Sequence, residues 1–122
     1  MRFARIVFLV AGSFGLLALA PLYFLEDRIG RDLPPAITHP EFFYGFTGVA
    51  LAWQVVFLVI ASDPSRYRPL MLVGVLEKLG FGVPVLIMFA RGRCPAPILG
   101  SGITDLILGA LFVAAWVASK GR

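Results

Sequence analysis

Residues 69–90, PLMLVGVLEKLGFGVPVLIMFA, form an apolar stretch long enough to cross a bilayer, with Glu77 and Lys78 side by side near its middle. Ionisable groups in hydrocarbon cost several kcal/mol, roughly, unless they are paired, neutralised or hydrated. This helix therefore calls for other segments to shelter it. At about 100° per residue, Gly74, Phe81 and Val85 share a face, with Glu77 on one flank and Lys78 on the other. That face should look into a bundle. Pro84 lacks an N–H and frees the carbonyl of Gly80 one turn earlier, and Gly80 and Gly82 make the same turn easy to bend.

The rest of the chain is of the same kind. Of 122 residues, 59% are hydrophobic and 15% charged, a balance far from that of soluble domains. A span needs about 20 mostly apolar residues. Four such stretches lie end to end, near residues 4–25, 41–61, 69–90 and 98–118, leaving almost nothing for a soluble domain. The expected fold is all-α: one polytopic membrane domain, an antiparallel four-helix bundle with inward polar groups and the lipid bilayer as its main partner. The net charge of +4 does not point to nucleic acid, because the basic residues sit at helix ends, where they set topology.

The opening MRFARIVFLVAGSFGLLALAPLYFL also has the make-up of a secretory signal, with Ala18, Leu19 and Ala20 as a cleavage-like triplet. An uncleaved anchor is the better reading: the apolar run continues from Leu22 to Leu25, and Pro21 would fall just after the cut. Arg2, Arg5, Arg66, Arg68, Lys120 and Arg122 then share one side, opposed only by Asp63. On the other side Arg28, Arg31, Arg91 and Arg93 are offset by Glu26, Asp27, Asp32 and Glu41. The positive-inside rule puts both termini on the cytoplasmic side; the location expected for the chain is a bacterial cytoplasmic (inner) membrane.

The longest loop, EDRIGRDLPPAITHPE, carries Pro34, Pro35 and Pro40 and reads as an extended, stiff lid. His39 is the only histidine and precedes a helix-starting proline, so it reads as a turn residue. One histidine and one cysteine, Cys94, leave no metal site, no CxxC pair and no haem ligation by two histidines. No phosphate loop or nucleophile turn is present, and no cofactor is implied.

The candidate site lies inside the spans. Gln54 sits deep in the second helix with Phe43, Thr47 and Ala50 on its side, while Gly45, Gly48 and Ala52 are small enough to admit a neighbouring backbone. Phe42, Phe43, Tyr44 and Phe46 read as an interfacial belt plus packing. In the fourth helix Ser101, Asp105, Gly109, Phe112 and Trp116 fall close to one face, expected to point inward, with Gly102 on its border. Asp105 should lie near the level of Thr47 and Pro84, about 10 Å from the outer end. Gln54, Glu77, Lys78 and Ser13 form a second layer about two turns away, a gap that a lysine or water could bridge. Glu77 and Lys78 point about 100° apart, so a Lys78–Asp105 pair between helices is as reasonable as a pair within the third helix. Glu77, Lys78, Asp105, Gln54, Thr47 and Ser101 are the ligand-binding candidates.

Four short helices, an acid in the third, and Asp105 followed by Gly109 and Phe112 in DLILGALF resemble the DoxX-like group of small bacterial membrane proteins. The resemblance spans the plan of the whole chain and implies a link to respiratory and thiol redox chemistry. The single cysteine departs from the thiol part, and no active residues carry over. From the residues themselves, three functions stand open. The first is a polar intramembrane site that binds or conducts a small molecule, amphiphile or proton. The second is a noncatalytic subunit or assembly factor of a larger membrane complex, or a homo-oligomer, with the acids acting as packing glue. The third is a membrane-embedded enzyme acting on a lipid-like substrate.

Overall fold

A computed structural model describes residues 2–120; Arg122, read above as a same-side positive charge, lies outside the described residues. The chain is helical throughout its spans: α1 (Arg2–Leu19) passes into a 3-10 turn (Ala20–Phe24), then α2 (Glu26–Asp32), α3 (Pro40–Ser62), α4 (Arg68–Ala90) and α5 (Ala96–Ala118). α1 with its 3-10 turn, α3, α4 and α5 are each long and apolar enough to cross a membrane. Prolines stand in the first turns of α3, α4 and α5 (Pro40, Pro69, Pro97), where their missing N–H costs nothing.

Two boundaries differ from the sequence expectation. The first span is not one α-helix to residue 25: Pro21 cannot donate to the carbonyl four residues back, and the chain tightens to a 3-10 turn from Ala20. The expected extended loop begins with the short helix α2. Glu26 and Asp27 suit its positive end, Arg31 its negative end, and Arg28 Nε lies 3.5 Å from Asp32 Oδ2 one turn on. Only after Asp32 do Pro34 and Pro35 hold the chain out of helix. α4, by contrast, runs unbroken past Pro84.

The four long helices are antiparallel. α1 lies along α3 and α4 along α5, α1 and α5 join the two pairs, and α3 and α4 meet over the least length. The start of α1 and the end of α5 share one end of the bundle, here the terminal end; α2 lies at the other, the loop end. At the terminal half Phe8 of α1 stacks on Phe112 of α5 with ring centroids 4.3 Å apart, and Phe57 of α3 meets Phe112 edge-on at 4.9 Å. Ile60 and Met71 complete this core, and all five side chains are fully buried. Each aromatic pair adds about 0.5–1.5 kcal/mol beyond burial.

Outside the core the order of a soluble protein is inverted. Leu9, Val10, Leu17, Val49, Leu76 and Ile107 are exposed, whereas Thr47, Gln54, Lys78 and Ser119 are buried. Such an exterior suits hydrocarbon as solvent, and the molecule is an integral membrane protein by fold. Close helix approach then depends on glycine. A Cβ on Gly12 would lie 2.8 Å from the Gln54 carbonyl oxygen, one on Gly15 1.9 Å from Gln54 Oε1, and one on Gly102 2.7 Å from Val85 Cγ1. The small residues expected to serve this purpose in α3 do not: Gly45 has no atom within 4 Å of a built Cβ, and Ala52 is exposed. Only Gly48 meets a neighbour, the Tyr23 hydroxyl.

Arg68, read above as a topology residue, also has a structural role. Its Nη2 donates to the Trp116 carbonyl at 2.8 Å and its Nε to the same carbonyl and to Ser119 Oγ, each at 3.2 Å. The guanidinium lies 4.4 Å from the Trp116 ring centroid. It thus caps the C-terminus of α5 from the first residue of α4. Arg68→Lys should lose the planar fork and the stack, at a cost of about 1–2 kcal/mol in detergent unfolding. An unchanged melting temperature would show that the cap adds no stability.

Candidate functional site

α4 and α5 bring three charged groups together within the span. Lys78 Nζ lies 3.5 Å from Glu77 Oε2 and 3.5 Å from Asp105 Oδ1, so the lysine pairs both within its helix and across to the next. The side chain of Lys78 is 5% exposed, that of Glu77 17% and that of Asp105 21%. Adjacent residues on a helix diverge, but the four-carbon stem of lysine lets the ammonium swing back toward Glu77 while its base points at α5. Gly109 makes room for that base: a Cβ there would stand 3.3 Å from Lys78 Cβ. Phe57 supplies the third wall, with Nζ 5.1 Å from its ring centroid. Sequence reasoning passed over Phe57, since a phenylalanine among apolar neighbours gives no signal of a cationic partner.

The remaining candidates are placed apart. Gln54 is buried, but its Nε2 donates to the Ala50 carbonyl of its own helix at 2.8 Å, and its Oε1 occupies the place a Cβ on Gly15 would need. Thr47 is buried and donates to the Phe43 carbonyl at 2.8 Å. Both hydrogen bonds stay within α3, so neither residue is a tie between helices or a partner of the acids. The inward face expected for α5 holds for Gly102, Gly109 and Phe112 but must be corrected for Ser101, which is exposed; a turn of 100° per residue carries it out past the edge of the buried stripe. Ser13, expected in the second layer, is also exposed.

The short contact between α3 and α4 leaves a groove of about 440 Å³ on the side of Glu77 away from α5. Gly45, Phe46, Val49, Ala50 and Trp53 of α3 and Glu77, Gly80 and Phe81 of α4 line it. Phe46 and Phe81 stack across it with centroids 5.7 Å apart, so Phe46 bridges two helices and is more than part of an interfacial belt. Glu77 Oε2, 3.5 Å from Lys78 Nζ, and Gln54 Oε1 are buried and accept no well-formed hydrogen bond among the described residues. No group of three or more His, Cys, Asp or Glu able to hold a metal occurs among the described residues. His39 caps α3 at the surface, its Nδ1 2.8 Å from Glu41 Oε1, in keeping with a turn residue.

At the loop end Tyr44 Oη donates to Glu26 Oε1 at 2.9 Å and stacks on Tyr23, tying α2 to α3.

No family model, curated protein or solved structure matches this chain, so the resemblance to DoxX-like proteins remains one of plan.

Proposed function

We propose that this integral membrane protein holds a polar intramembrane site that binds or conducts a small molecule, amphiphile or proton. The observation that carries the reading is the arithmetic of the cluster: two carboxylates share one ammonium, a formal charge of −1 within the span. An assembly device would need only one acid for one lysine, whereas a surplus carboxylate in low dielectric favours a cation or proton as its complement. On the same proposal the terminal end faces the cytoplasm of a bacterial cell, since Arg2, Arg5, Arg66 and Lys120 gather there.

Asp105→Asn tests the reading. Asn keeps volume and hydrogen-bonding capacity, and the cluster it leaves, Lys78 with Glu77, is formally neutral. The variant should melt within a few degrees of the parent in detergent yet lose most of the retained small-molecule mass in native mass spectrometry, or most of the proton flux in dye-loaded proteoliposomes. Gly109→Leu should do the reverse, lowering the melting temperature sharply by pushing against Lys78 Cβ. If Asp105→Asn matches the parent in retained mass and in proton flux at equal protein level, Asp105 serves packing and the reading falls.

A further inference from the structure

The groove between α3 and α4 is walled by aromatic and apolar groups, and one carboxylate stands on its wall. From the register of antiparallel helices, Phe46 and Phe81 sit toward the loop end and Trp53 and Glu77 toward the terminal end, about 10 Å apart along α3 and about 6 Å along α4 at 1.5 Å per residue. Gly45 and Gly80, one from each helix, meet nothing within 4 Å of a built Cβ, so the loop end of the groove, beside Phe46 and Phe81, is open. Val49 and Phe46, which line it, are exposed on the hydrocarbon side, which makes the groove a lateral recess reached from the bilayer. Its volume falls within the range of about 300–1,000 Å³ that suits small ligands.

Charge then selects the occupant. Lys78 lies over Phe57 and stands 3.5 Å from both Glu77 and Asp105, so its one positive charge is shared between two acids, and the groove side of Glu77 is where the surplus negative charge is met. A neutral lipid chain would fill the apolar walls and leave that charge uncompensated. An anion would meet Glu77 directly. A cation with an apolar tail answers both: its head neutralises Glu77 beside Trp53, and its tail lies along Ala50 and Gly80 toward Phe46, Phe81 and the open end at Gly45. Resting on the function proposed above, we infer that the α3/α4 groove is a lateral binding site for cationic amphiphiles, with Glu77 as the counter-charge.

The probe is dodecyltrimethylammonium, measured by equilibrium dialysis against the full chain in nanodiscs of zwitterionic lipid, with protein-free discs as the partition control. Dodecyl sulfate and dodecyl maltoside share the tail and change the head. The expected result is saturable binding of the ammonium compound only, accompanied by a change in Trp53 emission that Trp53→Phe removes. Glu77→Gln should weaken binding at least tenfold. Gly45→Leu, which leaves all three charges in place and fills the groove from the opposite helix, should weaken it as much. Melting temperatures of both variants within a few degrees of the parent keep the comparison one of binding. Equal binding of all three amphiphiles, or ammonium binding that survives both Glu77→Gln and Gly45→Leu, overturns the inference. Should ammonium binding fail while Asp105→Asn still abolishes retained mass or proton flux, the groove assignment falls and the intramembrane site stands; if both experiments are flat, both fall.

Discussion

Lys78→Met is expected to be among the most damaging single substitutions in this chain, lowering stability by about 3–5 kcal/mol, because it leaves two partly buried carboxylates without their shared cation. The loss is larger than the ion pairs are worth. A lysine held between two acids repays the cost of burying all three charges; removing it strands the acids in a medium that solvates them poorly, and methionine of similar length fills the space without relieving the repulsion. The argument has a corollary that separates charge from packing. Lys78→Met combined with Glu77→Gln and Asp105→Asn carries no formal charge and should recover most of the lost stability, since isosteric neutral groups keep the shape against Phe57 and Gly109. Thermal unfolding in mild detergent reads both variants. A triple variant no more stable than Lys78→Met would mean that the stem of Lys78 packs indispensably and that its charge is incidental.

The spans and the charged trio were open to sequence reading for the same reason: both depend on composition measured against the bilayer. Twenty apolar residues have few other uses, and an acid at residue 77 or 105 is conspicuous against leucine and valine. The sequence leaves two pairings open for Lys78, with Glu77 or with Asp105, and the lysine makes both, because helical phase fixes where a Cβ points but not where a long stem ends. Helix pairing was hidden. All four spans are apolar all round, so no stripe marks which face meets which neighbour, and the exposure of Ser101 and Ser13 shows how little a hydroxyl says about direction here. The groove was hidden too, being a property of two helices that diverge; Trp53 and Phe81 acquire a role only once they are seen across it.

Glycine makes the same point, and it gives the second large effect. The sequence offers Gly45 and Gly48 in α3 as the contact points, yet the close approach is made by Gly12 and Gly15 in α1. Gly12→Ala should destabilise by about 1–3 kcal/mol, although alanine is the better helix former by about 1 kcal/mol, because its methyl would lie 2.8 Å from the Gln54 carbonyl oxygen and 2.9 Å from Leu58. A backbone oxygen cannot step aside without moving α3. Gly45→Ala, with nothing in reach, should be neutral or slightly stabilising. Gly15→Ala falls between them, since its obstacle is the Gln54 side chain, Oε1 at 1.9 Å and Cδ at 2.3 Å, which can be removed by a second substitution. Adding Gln54→Ala should therefore rescue Gly15→Ala and leave Gly12→Ala as unstable as before. The three glycines, each with and without Gln54→Ala, form one series of melting temperatures. Rescue of both variants, or of neither, would place the tight contact between α1 and α3 somewhere other than the Gln54 turn.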